Sequence, residues 1–379
     1  MIEARASLRR AFYNKGGAYI NLLGEIWMKK QAIAAAIAAA FVSVPAVAQV
    51  TVSGNVEAGW ASRDYLAGAT KTKNEGITSQ VVGTPVIRFS GTEDLGGGLK
   101  ASFQLDFEHD TALGAVDNAV ADLGVSTVGL AGNFGSITMG KSAFRSRDGG
   151  GLYRFFGNIG RLTAGGARGY VAGAGGTAIA ATTTFNSADE LGGFVEYVSP
   201  TVQGFSVSLG RANPGLTANG STQARVQSVT LRGSFGPATF QYGQEQSKAA
   251  NDGDSTNLNT LAGNANIGPA RVGVVWAESR SVTNIATRAL GGQVALPLAK
   301  STTGGVGYIN YTGDNSAATS VMALMAKYDL SKRTALFASY QSVTAETRTA
   351  NIGASRGLNV GEIAGQTNTG YSLSVVHSF

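Results

Sequence analysis

Leu99-Lys100-Ala101-Ser102-Phe103-Gln104-Leu105-Asp106-Phe107-Glu108 alternates without a break. Leu99, Ala101, Phe103, Leu105 and Phe107 form one set, and Lys100, Ser102, Gln104, Asp106 and Glu108 form the other. Successive side chains of a strand point to opposite faces, so this is a two-faced β-strand, apolar on one side and polar on the other. Val50 to Trp60 repeats the pattern, with Val50, Val52, Val56, Ala58 and Trp60 against Thr51, Ser53, Asn55 and Glu57. Ile87 and Phe89 flank Arg88, Phe205, Val207 and Leu209 alternate with Ser206 and Ser208, and Phe240 and Tyr242 straddle Gln241. Val272, Val274 and Trp276 share a face, as do Met322, Leu324, Ala326, Tyr328 and Leu330, and Tyr371, Leu373 and Val375. The period blurs in 255–268 and 286–311.

Connections alternate in length. Short ones are Asp94 to Gly98, Gly132 to Gly135, Ser199 to Gly204, Phe235-Gly236-Pro237, Gly268-Pro269, Pro297 to Thr302 and Asp329 to Arg333. Longer polar loops fall near 61–84, 110–124, 143–189, 211–224, 248–256, 279–286, 312–319 and 345–366. Seven short turns and eight long loops join sixteen antiparallel strands, the mark of a transmembrane β-barrel with short periplasmic turns and long external loops. A soluble sandwich uses ~100 residues per domain, so it would need two or three domains here with no linker between them. Aromatic strand ends at Trp60, Phe107, Tyr197, Tyr328 and Tyr340 fit a membrane girdle.

Composition agrees. The 379 residues are 43% hydrophobic, yet mean hydropathy is only +0.04. A helical membrane protein concentrates its apolar residues in runs of ~18 or more. There is no Cys, which excludes disulfides and thiolate metal sites, and only His109 and His377 are available for imidazole chemistry. The net charge of +6 arises mostly in residues 1–48, which hold six basic side chains and two acidic ones. Subtracting these from 30 and 24 leaves 24 basic against 22 acidic, too even for a nucleic-acid-binding chain.

Met28-Lys29-Lys30, an apolar stretch from Gln31 to Val44, Pro45 and the small-x-small Ala46-Val47-Ala48 make a secretory signal peptide, cut between Ala48 and Gln49. Met28 is then the expected start, 1–27 an upstream extension, 28–48 the signal peptide and 49–379 the barrel.

Arg88-Phe89-Ser90-Gly91-Thr92-Glu93-Asp94-Leu95-Gly96-Gly97-Gly98-Leu99-Lys100-Ala101 resembles the second hairpin of general Gram-negative porins, particularly those of β-proteobacteria. Val128 to Lys141 is similar to their next hairpin, and Tyr197-Val198-Ser199-Pro200 with Gly204-Phe205 also resembles the family. The terminal Val376-His377-Ser378-Phe379 looks like the signal read by the barrel-assembly machinery, with Phe379 as its aromatic end. The likeness spans essentially the whole mature chain. It implies a homotrimeric, sixteen-stranded, water-filled pore set among outer-membrane lipid and lipopolysaccharide. It also implies a third external loop folded inward and a basic cluster on the wall beside or opposite it. Loop 143–189 departs from the family in its Gly- and Ala-rich run from Ala164 to Ala181.

Sixteen tilted strands enclose a lumen too wide for side chains to fill, so a loop must narrow it. Loop 143–189 is the longest, and up to Ala188 it carries Arg145, Arg147, Arg154, Arg161 and Arg168 against only Asp148. Arg88 faces the lumen by parity, since aiming it at lipid near the midplane would cost ~2–4 kcal/mol. The same parity turns Lys100, Arg232, Asp106, Glu108 and Glu57 inward. A low-dielectric wall focuses such fields, so the loop and Arg88 favour anions while Asp106 and Glu108 oppose them. The expected function is passive diffusion of small hydrophilic solutes with mild anion preference. The competing readings are a substrate-specific anion channel, which needs a dense ladder of one charge or of aromatics, and a non-transport surface barrel such as an enzyme or adhesin. No cofactor or metal is expected. Gly353-Ala354-Ser355-Arg356-Gly357 lacks the strand–turn–helix context of a nucleophile elbow. Asn251-Asp252-Gly253-Asp254 lacks the closing Glu of a calcium loop.

Overall fold

The computed structural model describes residues 50–67, 70–79, 81–112, 115–116, 123–146, 152, 155–156, 191–213, 225–248, 255–280, 286–314, 316–345, 350–351, 361–362 and 366–379. The expected signal peptide and extension lie outside these residues, as do 251–254 and 353–357.

The chain opens with β1 (Thr51–Ala67), β2 (Thr70–Thr78), β3 (Val86–Gly96), β4 (Leu99–Asp110) and the two-residue β5 (Ala115–Val116). β6 (Leu123–Gly132), β7 (Gly135–Ser142), β8 (Leu191–Val198), β9 (Phe205–Ala212) and β10 (Arg225–Phe235) follow. Next come β11 (Ala238–Lys248), β12 (Ser255–Ile267), β13 (Ala270–Arg280), β14 (Ala286–Ala299) and β15 (Thr302–Gly313). β16 (Ser316–Asp329), β17 (Thr334–Ala345), the short pair β18 (Ala350–Asn351) and β19 (Gly361–Glu362), and β20 (Gln366–Ser378) complete it.

Long strands pair antiparallel in chain order, from β3 with β4 and β4 with β6 to β17 with β20. β1 closes the ring, pairing with β20 along one edge and with both β2 and β3 along the other. β2 and β3 are therefore two halves of one wall strand, and the closed barrel has sixteen. Closure pairs the backbone polar groups that an open edge would leave facing hydrocarbon.

Burial runs inside out. Apolar Val128, Leu290 and Leu373 on the outer parity are 55%, 64% and 56% exposed, whereas the inward Glu57, Gln241 and Gln293 are buried. That outer belt is the lipid-facing surface. Phe205, Phe235 and Phe240 cluster at the short-turn end, with ring centroids 4.9 to 6.2 Å apart. Tyr340 and Tyr371 pair at 5.3 Å. The β3–β4 turn holds Gly96, Gly97 and Gly98 at φ of 82°, 61° and 82°, a left-handed run that only glycine adopts without strain.

Two expectations about connections need correction. Residues 61–84 are not one loop: β1 and β2 continue as a ribbon with Trp60 opposite Ile77 and Leu66 opposite Lys71. Once a hairpin stands clear of lipid it needs no apolar face, so alternation fails to announce it. The real break comes later, at 79–85, between β2 and β3. The blurred stretches 255–268 and 286–311 contain the regular strands β12, β14 and β15, and the 345–366 connection carries the small β18–β19 pair.

Candidate pore lining and constriction

The inner wall has two halves. Along β12 to β17 the inward Leu258, Ala262, Ala289, Ile309, Val321 and Phe337 are buried in one cluster with Leu152 and Phe156. Leu152 and Phe156 belong to the connection between β7 and β8, and its described members touch the wall repeatedly. Phe144 packs on Phe194, with ring centroids 5.1 Å apart, in a second cluster with Ala212 and Val226. The Arg145 backbone N–H donates to Glu196 Oε1 at 3.0 Å, and Gln241 Nε2 donates to the Arg145 carbonyl at 2.6 Å. Ser146 Oγ donates to Glu245 and accepts from Ser228 Oγ at 3.0 Å. Farther along, Asn264 Nδ2 reaches the Leu152 carbonyl at 2.7 Å, and the Phe155 N–H donates to Gln293 Oε1 at 3.3 Å. The Arg271 guanidinium lies over the Phe155 ring, 4.4 Å from its centroid, within cation–π range.

Glycines open the seats for these residues. A Cβ on inward-facing Gly210 would run into the Phe144 ring, and one on Gly305 into the Phe156 ring. Away from these clusters, the wall from β3 to β7 is mostly polar on its inner face. It borders a recess of ≈ 660 Å³ lined by residues such as Ser90, Ser102, Gln104, Thr138, Arg145 and Glu196.

The sequence-derived site residues scatter along this geometry. Arg88 and Asp106 face each other across β3 and β4 in a two-pronged ion pair, with Nε to Oδ1 at 2.7 Å and the second contact at 2.6 Å. Gln104 Nε2 also donates to the Asp106 carboxylate, at 3.1 and 3.2 Å. Asp106 is nearly buried, with its side chain 7% exposed, whereas that of Arg88 is 42% exposed, so the pair presents a largely neutralised cation to the lumen. Lys100 stands opposite Asp94 beside the β3–β4 turn, and Arg232 opposite Gln241 and Ser206 near the β10–β11 turn. Both sit toward the short-turn end of the barrel, away from Arg88. Glu108 lies opposite Val86, near the long-loop end of β4. Arg145 borders the polar recess, while Arg147, Arg154, Arg161 and Arg168 lie outside the described residues. Phe379 pairs with Gly54 through both backbone hydrogen bonds, each 3.0 Å.

Sequence reasoning missed Arg271, Glu196 and Glu245. The parity that sends Val272, Val274 and Trp276 to the lipid already turns Arg271 inward, and Phe240 with Tyr242 does the same for Glu245. What no periodicity encodes is that Glu196 takes the Arg145 backbone N–H and Glu245 the Ser146 hydroxyl of the β7–β8 connection.

At the long-loop end, Glu278, Arg280, Arg288 and Asp314 form a chain of ion pairs on the outer parity. The Ala286 backbone N–H and the Arg288 side chain hold the Asp314 carboxyl below the usual carboxylate range. A depressed folded value stabilises the folded state above the unfolded pKa of about 3.9, and that contribution disappears as pH falls through the folded value. Asp314→Asn should therefore change melting temperature slightly at pH 7 and not at all in strong acid. Differential scanning calorimetry in detergent at both pH values checks this.

A family model described as Gram-negative porin matches residues 34–348. Outer membrane porin protein 32 of Delftia acidovorans is 27% identical over 93% of this chain and 100% of its own length. Among solved structures, the anion-selective porin from Comamonas acidovorans superposes with a TM-score of 0.71 at 23% identity, covering 88% of this chain and all of that one. OmpT of Vibrio cholerae follows at 0.62 and 14%, covering 89% of this chain and 99% of that one. With the closed barrel, its lipid-facing belt and this match over most of the sequence, the chain belongs to the Gram-negative porin family and forms a diffusion channel in the outer membrane.

Proposed function

We propose that the channel passes small hydrophilic solutes with a preference for anions, through a passage narrowed by the β7–β8 connection. The observation that carries this reading is the set of contacts from Phe144 to Phe156, all made with inward side chains of the wall. The chain covering the apolar half confines water to the polar half, where Arg145 borders the recess. Arg271 adds a second inward cation, and the same connection supplies Arg147, Arg154, Arg161 and Arg168. The similar Comamonas acidovorans protein is itself an anion-selective porin, which supports the sign. Assembly as a homotrimer within lipopolysaccharide, guided by Phe379 as a signal to the assembly machinery, belongs to the same proposal. OmpT of Vibrio cholerae, alike in fold, has been solved in a trimer form.

Planar-bilayer recording tests the reading. Across a KCl gradient the reversal potential should report anion preference, closures should come in threes, and conductance should rise linearly with salt. Cation preference would refute the sign; saturation by one solute would favour a substrate-specific channel. Asp106→Asn should move the reversal potential further toward anions, because Arg88 keeps its charge and loses its counter-ion.

A further inference from the structure

The break between β2 and β3 places chain inside the lumen. Asn55 of β1 stands opposite Val86 and Gly59 opposite Thr78, so only Val56, Glu57 and Ala58 face the whole of 79–85. The surplus cannot bulge into hydrocarbon, where its backbone polar groups would go unpaired. Val81 is 2% exposed and shares the inner cluster with Leu152 and Phe156, with Val82 packed against it.

Three fastenings hold this excursion. Glu57, itself 1% exposed, accepts the Val82 N–H on Oε1 at 2.8 Å and the Gly83 N–H on Oε2 at 3.0 Å. Ser79 Oγ donates to Asp110 Oδ1 at 2.8 Å. The Pro85 carbonyl accepts the His109 N–H at 3.1 Å. A carboxylate that reads in sequence as a lumen charge is thus spent on holding backbone.

We propose that residues 81–85, packed against the described part of the β7–β8 connection, form a second, fixed element of the constriction, and that Glu57 is the positioning residue that sets how far it reaches into the passage. The inference rests on the channel reading above and adds a determinant of solute size to it.

The chain has no cysteine, so single thiols can be introduced without background. Glu57→Ala should fold to a heat-modifiable barrel whose single-channel conductance is up to about twofold higher, with noisier open current. Glu57→Gln, which keeps one carbonyl acceptor at the same reach, should fall between the two. In the Glu57→Ala background, Val82→Cys should react with a charged methanethiosulfonate at least about tenfold faster, since two hydrogen bonds to a charged acceptor are lost together. Should the alanine variant not fold, Gly83→Cys beside an intact Glu57 decides: modification should cut the conductance, whereas Val81→Cys should stay unreactive. Unchanged conductance and thiol rates in folded Glu57→Ala, or a modified Gly83→Cys with full current, would overturn the proposal. Absence of any pore in the unmodified protein would instead overturn the channel reading.

Discussion

Val128→Arg should keep the barrel out of the membrane, while Thr127→Arg, one residue earlier, should leave it assembled. Both residues lie in the middle of β6, between β4 and β7, with Val128 opposite Phe103 and Met139. Val128 is 55% exposed on the apolar outer belt, whereas Thr127 borders the polar recess. An arginine facing lipid near the midplane costs ~2–4 kcal/mol. That is a large share of the ~5–15 kcal/mol by which a typical protein is stable. At Thr127 the same side chain stays in water and adds a cation to the passage, so conductance should persist with stronger anion preference. The heat-modifiable gel band and the amount of protein in the outer-membrane fraction provide the measurement. Equal assembly of both variants would mean that the inside-out assignment of this wall is wrong.

Phe156→Ala should give the larger change in current. The ring is 2% exposed at the centre of the inner cluster and sits where Gly305 leaves room for it. Truncating a buried Phe costs about 3–5 kcal/mol in a well-packed core. Here the loss falls on the docking of the β7–β8 connection rather than on the barrel ladder. The expected signature is higher and noisier open-channel current from a barrel that still resists detergent. Gly305→Val attacks the same contact from the other side, since its side chain occupies the ring's place. Combined, the two substitutions should disturb the current less than the sum of their separate effects, because valine fills part of what phenylalanine vacated. Strict additivity would show that the ring is not seated there.

Where lipid lies on one side of a strand and water on the other, the wall was legible from the chain alone. β4, with its five apolar residues facing one way, needs nothing else. Most short turns were equally clear, because glycine or proline punctuates every one but Asp329 to Arg333. Legibility ended where a strand has no wet face. In β14 the inward Ala289 and Ala295 are buried in one cluster with Leu152 and Phe156, and Gly291 is small, while Leu290 and Leu296 face lipid, so Thr287 and Gln293 are left to mark the inner face. β15 hides its period the same way through Gly305, Gly307, Ile309 and Tyr311. The pore residues show a related limit. Parity turned Arg88 and Asp106 to the same side, but their pairing depends on the β3–β4 register, which sets them directly opposite. Glu57 illustrates the point most sharply: its direction was readable and its work was not, since nothing local announces that a strand will break at 79–85 across from it.

The mutual hydrogen bonds between Gly54 and Phe379 join almost the first and the last residues of the wall. Until translation and export have delivered the final strand, β1 has no second neighbour, and the growing polypeptide carries an adhesive border. Closure is therefore a late and slow step, because the contact that seals the ring spans nearly the entire length of the chain. Losing even the last few residues would therefore be expected to cost far more in the yield of mature protein than their small share of the contacts suggests.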